Sequence, residues 1–396
     1  MDFSLTPEQE CFRAQVRAFF AEERVAKVCH ELQTLPPREE PGVHDVYRWL
    51  GERGWLAPTW PLAYGGLGAS PVHAAIVSEE MSLHGVPDLV HALSVDIVGL
   101  FLLRFGSDQQ KARYLPPIAR GERSATVLYS EPGVGSDLAS LTTRAIADGD
   151  GWRLHGRKIY SQKTQFADHA VCAARTTQGT SKYAGITLFM VDLRAEGVHV
   201  GPLWNLSDDR FSDVTLLNVR VTPDQVIGPV DGGWEVINAV LALERTGIDF
   251  HAKVRRWLDL VIARAVETGR IDDPCVAGEL VALDAEVQAG RLLAWRVISQ
   301  LERDQLDEVA AAMSKWHNTE LGRRIARLGM ELEGLDGTLS RWDGGAEAPL
   351  GGMLEAAVRE SPGLTLSAGS SEIMLYVISA TGLKVFEEGG PKRTSV

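Results

Sequence analysis

The stretch LYSEPGVGSD, residues 128–137, has the residue types of a loop that could hold a ligand. A β-rich run opens into it, and Gly133 and Gly135 let backbone approach a bound group closely because they lack a Cβ. Ser130 and Ser136 add hydroxyls suited to a phosphate or to the edge of a ring. The spacing is not the dinucleotide-binding G-x-G-x-x-G that opens a helix, so the loop taken alone is either a binding loop or an ordinary β-turn. Two other stretches carry reactive or polar groups. GRKIYSQKT holds Tyr160, Ser161 and Gln162 on a β-like run, where an aromatic is more often a core residue. SPGLTLSAGSSEIMLYV, residues 361–377, gathers Gly369, Ser370, Ser371 and Glu372 behind Ala368, and Glu372 by itself reads as a solvated charge. One more carboxylate, Glu244, precedes Arg245 in LALERTGID, a pairing that on a helix is commonly a surface ion pair.

These groups must be positioned by a sizeable scaffold. With 396 residues the chain can bury a large core in two or three layers. Hydrophobic residues at 45% and charged residues at 23% describe a soluble globular protein. No run approaches the roughly 20 apolar residues of a membrane span. The beginning MDFSLTPEQE is acidic and polar, without the apolar stretch of a signal peptide, so a cytoplasmic location is expected. A net charge of -13 argues against nonspecific nucleic-acid binding, although a local basic pocket for one phosphorylated ligand remains open. Cys11, Cys29, Cys172 and Cys275 form no C-x-x-C pair, and the ten histidines lack metal-site spacing. Neither a disulfide framework nor a metal is expected.

The elements change character along the chain. Thr6, Pro7 and Gln9 form a helix start with a capping box, followed by Phe12, Val16, Phe19 and Phe20 at helical spacing. GWLAPTWPLAYGGLGAS, residues 54–70, is dense in Gly, Pro and aromatics and is expected to be an ordered turn. Helical stretches continue to LPPIARGE, residues 115–122. From about Ser124 short β-rich runs take over, and Asp148-Gly149-Asp150-Gly151 is a hairpin-turn signal between two of them. After GPVDGGWEV the pattern is helical again, with Leu280, Leu283, Val287, Leu293, Val297 and Leu301 near a helical or heptad repeat. The expected fold is therefore α+β: an N-terminal helical domain over 1–122, a middle antiparallel β domain over 123–230, as a sandwich or barrel, and a C-terminal helical bundle over 231–396. The tail EEGGPKRTSV is expected to fray.

LYSEPGVGSDLASLTTRA resembles the signature of the acyl-CoA dehydrogenase family. The family pattern recurs in MDFSLTPEQECFRAQVRAFF, GWLAPTWPLAYGGLGAS, FGSDQQKARYLPPIARGE, the Gly-Gly-Trp at 232–234 and the terminal GSSEI, so the resemblance runs in order to about residue 385. It implies an FAD-dependent enzyme that desaturates an acyl-CoA, or acyl-carrier-protein, thioester between its α and β carbons. By position, Tyr129, Ser130, Gly135 and Ser136 would lie along FAD, with Ser136 also near the pantetheine end of the substrate. Tyr160, Ser161 and Gln162 match an aromatic-x-Thr against the isoalloxazine, with Gln162 departing from the usual hydroxyl. Ser370, Ser371 and Glu372 match the terminal segment that reaches the cofactor.

In many relatives the catalytic base precedes that segment, where this chain has Ala368. The family's alternative position falls on Glu244, with Arg245 placing the CoA portion, while the backbone N–H of Ala368 or Gly369 would polarise the thioester carbonyl. Gly247 and Phe250 would shape the acyl pocket. Two departures concern the cofactor. No R-x-x-F-G follows the catalytic helix, where the chain reads VETGRIDDPCVAGELVALDAEVQAGRLLAWRV in the style of the branch acting on steroid side chains. MELEGLDGTL loosely matches a Gln-x-x-Gly-Gly segment, with Glu331 in place of the Gln and Gly334 following. The resemblance thus implies a homo-oligomer or a heterotetramer with a related subunit, and an electron-transfer flavoprotein as acceptor. The alternative to a base at Glu244 is a non-catalytic partner subunit.

Overall fold

Thr6 and Gln9 cap the first helix reciprocally: Thr6 N–H donates to Gln9 Oε1 at 2.9 Å, and Gln9 N–H to Thr6 Oγ1 at 3.3 Å. The helix they open, α1 (Pro7–Phe20), buries the expected stripe of Phe12, Val16, Phe19 and Phe20. The structure, a computed structural model, describes residues 4–34, 43–179, 181–207, 209–244, 247–305, 307–342 and 347–385, without the side chains of 241–244. The tail EEGGPKRTSV lies outside the described residues.

The chain divides into two compact units, Phe12–Val77 with His84–Glu244, and Arg245–Val396 with Met1–Cys11 and Ser78–Leu83. The first holds α2 (Glu23–Thr34), α3 (Val43–Gly51), the start of α4 (Pro71–Leu83) and a longer helical rod. The rod is α5 (Leu89–His91), a π-helical turn (Ala92–Gly99) and α6 (Leu100–Phe105). Next comes α7 (Asp108–Ala119), whose cap residue Ser107 accepts from Gln110 N–H while Ser107 N–H donates to Gln110 Oε1. The Gln110 amide also donates to Asp224 O and Val226 O, both at 2.8 Å, and so joins the helix to the β part of the same unit.

That β part has eight strands: β1 (Ala125–Leu128), β2 (Arg144–Asp148), β3 (Gly151–Gln162), β4 (His169–Arg175), β5 (Ile186–Asp192), β6 (Val198–Trp204), β7 (Arg210–Val221) and β8 (Val226–Ile227). They form one sheet in the order β6-β7-β3-β2-β4-β5-β8, with β1 beside β4. Asp148 faces Gly151 across the expected hairpin, and Gly149 takes the turn's positive φ of 62°. The pairings β1–β4 and β2–β4 are parallel, whereas the other pairings among the described residues are antiparallel. The β2–β3 hairpin lies between β1 and β4 in sequence, and β3 lies between β2 and β4, so in each case the chain has room to return and re-enter in the same direction. The interiors of β4 and β5 are buried throughout, which explains their unbroken apolar runs. α8 (Gly233–Glu244) closes this unit.

The second unit packs α9 (Ile248–Glu267), α10 (Pro274–Leu301), α11 (Glu308–Glu333), α12 (Met353–Leu366) and α13 (Ser371–Val377). Its core joins Trp257, Leu258 and Val261 to Leu283, Val287, Leu321, Ile325 and Leu354. The stripe on α10 begins as expected with Leu280, Leu283 and Val287, but continues through Gly290, Ala294, Val297 and Ile298. Leu293 and Leu301 are only partly buried. An α-helix has 3.6 residues per turn, so a straight helix drifts off a seven-residue repeat over such a length.

The Gly-rich stretch 54–70 is an ordered turn, in which Leu67 and Ala69 N–H donate to Pro58 O, and Gly68 N–H to Trp60 O. Gly66 is packed against this backbone: a Cβ there would lie 2.2 Å from Trp60 O and 2.6 Å from Ala57 O. Gly66→Ala is therefore expected to cost about 1–3 kcal/mol, read as a lower urea midpoint at unchanged slope.

Candidate active site

The loop after β1 is built on a tight turn and a buried ion pair. Glu131 and Val134 exchange both backbone hydrogen bonds at 2.9 Å around Pro132-Gly133, and Gly133 supplies a φ of +85°. The Glu131 carboxylate points inward, where it accepts from Thr142 N–H at 2.6 Å, Thr142 Oγ1 at 2.7 Å and Thr143 N–H at 2.8 Å. Lys158, on β3 and fully buried, donates to Glu131 Oε1 at 2.9 Å and to Tyr129 O at 3.0 Å. Burial alone would raise the Glu131 pKa, but the Lys158 charge and these donors more than offset it and hold the value at about 2. The inward pair leaves the outer rim free: Gly135 and Ser136 are exposed, and a Cβ at Gly133 or Gly135 would meet no atom within 4 Å.

Two residues beyond Lys158, the register of β3 against β7 slips. Lys158 faces Val214 and Ser161 faces Ser212, so β3 carries one extra residue. The bulge turns Ser161 inward, where its Oγ donates to Val127 O at 3.2 Å, and Tyr160 outward with φ +59°. Tyr160 is 57% exposed, which no core aromatic would be, and its ring meets Phe211 edge-on at 6.3 Å. A positive φ on a large side chain costs energy and recurs at ligand sites. The backbone carbonyl of Gln162 accepts from Thr126 Oγ1.

The terminal segment is held by α11. Lys315, almost completely buried, donates to Gly369 O at 2.8 Å and Thr365 O at 3.3 Å. Above it Ala368 and Gly369 both take positive φ, +51° and +95°, and neither N–H has an acceptor among the described residues. Ser370 caps α13 by accepting from Ile373 N–H, and Ser371 Oγ donates to Glu320 at 2.5 Å, so both hydroxyls are engaged. Glu372 is exposed; its own N–H and the Ser370 hydroxyl keep its carboxyl below the ordinary range.

The remaining expected site residues are placed separately. Glu244 ends α8, but its side chain, like the whole of Arg245, lies outside the described residues. Gly247 is left-handed at the start of α9, where a Cβ would lie 2.4 Å from Ser314 Oγ, and Phe250 is half-buried in the first turn. Glu331 is exposed and paired with Arg327 at 2.6 Å, whereas Glu333 is the buried carboxylate of that helix end, held by Arg264. Gly334 follows with φ +61°. In place of R-x-x-F-G, Gly269 and Arg270–Asp272 make a short exposed turn, and Asp273 caps α10. Lys158, Glu131 and Lys315 were not evident in the sequence, since charged residues carry no mark of burial there.

These features fit FAD. The rim of the β1 loop offers backbone with open space before it, and Tyr160 of the same unit offers an exposed ring. Among the described residues no group of three or more His, Cys, Asp or Glu side chains could hold a metal, and no helix is long and apolar enough to cross a membrane.

Helical, β and helical parts in this order define an acyl-CoA dehydrogenase fold. The family's N-terminal domain matches residues 6–122, its middle domain 126–219 and its C-terminal domain 231–383. The acyl-CoA dehydrogenase FadE26 of Mycobacterium tuberculosis is 32% identical over 97% of this chain and 98% of its own length. FadE29 of the same organism is 31% identical over 97% and 99%. Among solved structures, the Tcur3481-Tcur3483 steroid ACAD superposes with a TM-score of 0.88 at 30% identity, covering 97% of this chain and 99% of that one. A chain of the ChsE4-ChsE5 complex from Mycobacterium tuberculosis gives 0.84 at 29%, with the same coverage. The chain belongs to the acyl-CoA dehydrogenase family, and is a flavin oxidoreductase of that class.

Removing one partner of the buried pair should cost more than removing both. Lys158→Met leaves the Glu131 carboxylate uncompensated and is expected to lose about 3–5 kcal/mol in urea unfolding, much of it recovered in Lys158→Met/Glu131→Gln. Because the folded pKa of Glu131 lies below the ordinary glutamate value of 4.5, its contribution is complete above that pH and fades as pH falls toward 2. Wild type should therefore lose about 3 kcal/mol more than the double variant over that window.

Proposed function

We propose that Glu244 removes the α-proton of an acyl-CoA thioester while the β-hydrogen leaves as a hydride, giving the α,β-unsaturated thioester. Bound FAD would supply the two-electron chemistry, as acceptor of that hydride at N5. The observation that carries the assignment is Ala368, an apolar residue on an anchored left-handed turn where many relatives place the base. With no carboxylate at that position, Glu244 at the end of α8 is the one the family pattern leaves for the task.

The roles of the other residues follow from their chemistry. Tyr129, Ser130, Gly135 and Ser136 would line the cofactor, Ser136 also facing the pantetheine, while Tyr160, Ser161 and Gln162 would lie against the ring. Ser370, Ser371 and Glu372 would approach the cofactor from the terminal segment, and Glu331 and Gly334 would serve its pyrophosphate end. The free N–H groups of Ala368 and Gly369 suit a thioester oxygen, whose negative charge grows as the α-proton departs. Arg245 would bind the CoA portion. A carboxylate at its ordinary pKa is a weak base for a C–H, so Glu244 must be desolvated by substrate to reach a matching value.

A second function, a partner subunit in a heteromeric complex, is supported by the missing R-x-x-F-G and by two-component names among the structural neighbours. Such a chain would purify colourless alone and turn yellow only with its related subunit. The desaturase is tested by anaerobic mixing of the FAD-loaded protein with acyl-CoAs. Wild type should bleach its flavin, and Glu244→Gln should keep FAD but bleach about 10³-fold more slowly. Normal bleaching in that variant would remove Glu244 from the mechanism.

A further inference from the structure

A cavity of about 310 Å³ opens between α7 and one end of the sheet, within the first compact unit. Its sheet wall is made where β1 and β4 begin and β5 ends, and strand pairing sets these points side by side. Ala125 faces His169, and His169 faces Asp192. The Tyr129–Ser136 loop leaves β1 at its other end, about 10 Å of strand away. The cavity is therefore separate from the candidate flavin surface, and its volume is at the low end of the range for small-molecule sites.

The cavity is apolar below and charged above. Ile118, Ala125 and Met190 line it and are all buried, so they form its floor. Tyr114 joins them at 6% exposure, and its hydroxyl has no hydrogen-bond partner among the described residues. The Tyr114 ring meets His169 edge-on at 5.1 Å, and the Arg113 guanidinium carbon lies 5.2 Å from the ring centre. Three exposed arginines, Arg113, Arg123 and Arg194, stand at the rim with Asp168 and Asp192. Asp168 is already satisfied: Arg123 and Arg194 donate to its Oδ1, and Ser124 N–H donates to its Oδ2. Asp192 Oδ1 accepts from Arg194 N–H at 2.8 Å. The Arg113 guanidinium has no acceptor within hydrogen-bond distance among the described residues, its ion-pair partner Asp224 being 3.9 Å away and outside the lining. Burial lowers the His169 pKa, so its ring is neutral near pH 7. Three arginines against two aspartates thus leave the lining with one unmatched positive charge.

We propose that this cavity is a second ligand site, for a small ring-bearing carboxylate that lays its apolar body on the floor and its carboxylate on Arg113. The planar guanidinium fork matches a carboxylate with two parallel hydrogen bonds. The Tyr114 hydroxyl donates a further hydrogen bond to the ligand from inside the cavity. One unmatched charge selects a monoanion: a second carboxylate would meet the apolar floor or the two aspartates. Inorganic phosphate lacks a body to cover Ile118 and Met190, and the arginines repel a metal cation. The site stands independently of the acyl-thioester function proposed above.

The test is calorimetric titration of the full chain, with FAD present, by 2-naphthoate. Its neutral amide, naphthalene-2,6-dicarboxylate and inorganic phosphate are the comparisons. Wild type should bind 2-naphthoate with a Kd below about 1 mM and each comparison about 10-fold or more weakly. Arg113→Gln should weaken 2-naphthoate about 10-fold, to within about twofold of the amide, at an unchanged urea midpoint because the side chain is exposed. Tyr114→Phe should weaken it about 5-fold through the lost hydroxyl alone. The site is overturned if 2-naphthoate binds no more tightly than its amide or than phosphate. It is equally overturned if Arg113→Gln, or Tyr114→Phe, stays within about twofold of wild type, since the probe then sits elsewhere on the protein.

Discussion

The ammonium of Lys158 against the carboxylate of Glu131 is the contact on which the β1 loop depends. Both groups are sealed from water, so neither can ionise alone without a large desolvation cost, and each is stable only because the other is there. The Glu131 carboxylate also gathers Thr142 and Thr143, which draws the far end of the loop back to its start. With its interior fixed in this way, the loop can leave Gly133, Gly135 and Ser136 facing outward without collapsing. The bulge that exposes Tyr160 lies just beyond Lys158 on the same strand, so one ion pair sets two parts of the candidate flavin surface.

Lys315 does the corresponding work in the other unit. Its ammonium holds the carbonyls of Thr365 and Gly369, while Ala368 and Gly369 take left-handed backbone and neither N–H has an acceptor among the described residues. The terminal turn thus retains hydrogen-bonding capacity through its backbone although Ala368 contributes only a methyl group. A backbone donor survives a change of side chain, whereas a side-chain base does not.

Much of the architecture was legible because it rests on local rules. The Thr6–Gln9 cap, the phenylalanine face of α1 and the Asp148–Gly151 hairpin follow from short-range hydrogen bonding and periodicity. The β1 loop and the terminal segment were legible through their glycines and serines. What could not be read was the partnering of charges. Nothing adjacent to Lys158, Glu131 or Lys315 signals that they are buried, since their partners come from distant positions and only the fold brings them together. Glu331 and Glu333 look equivalent in sequence, yet one is at the surface and the other sits against Arg264.

The change from helical to β texture near residue 123 suggests a seam, but Gln110 crosses it. The same amide group closes the cap of α7 through its oxygen and grips the carbonyls of Asp224 and Val226 through its nitrogen. Ser94 crosses the boundary again by bonding both the N–H and the C=O of Ala125. Opening the sheet therefore strips a helix of its cap, and fraying the helix bares carbonyls beside β8. Helices and sheet within this unit are coupled in their opening, so they form a single cooperative block rather than two modules that melt in turn.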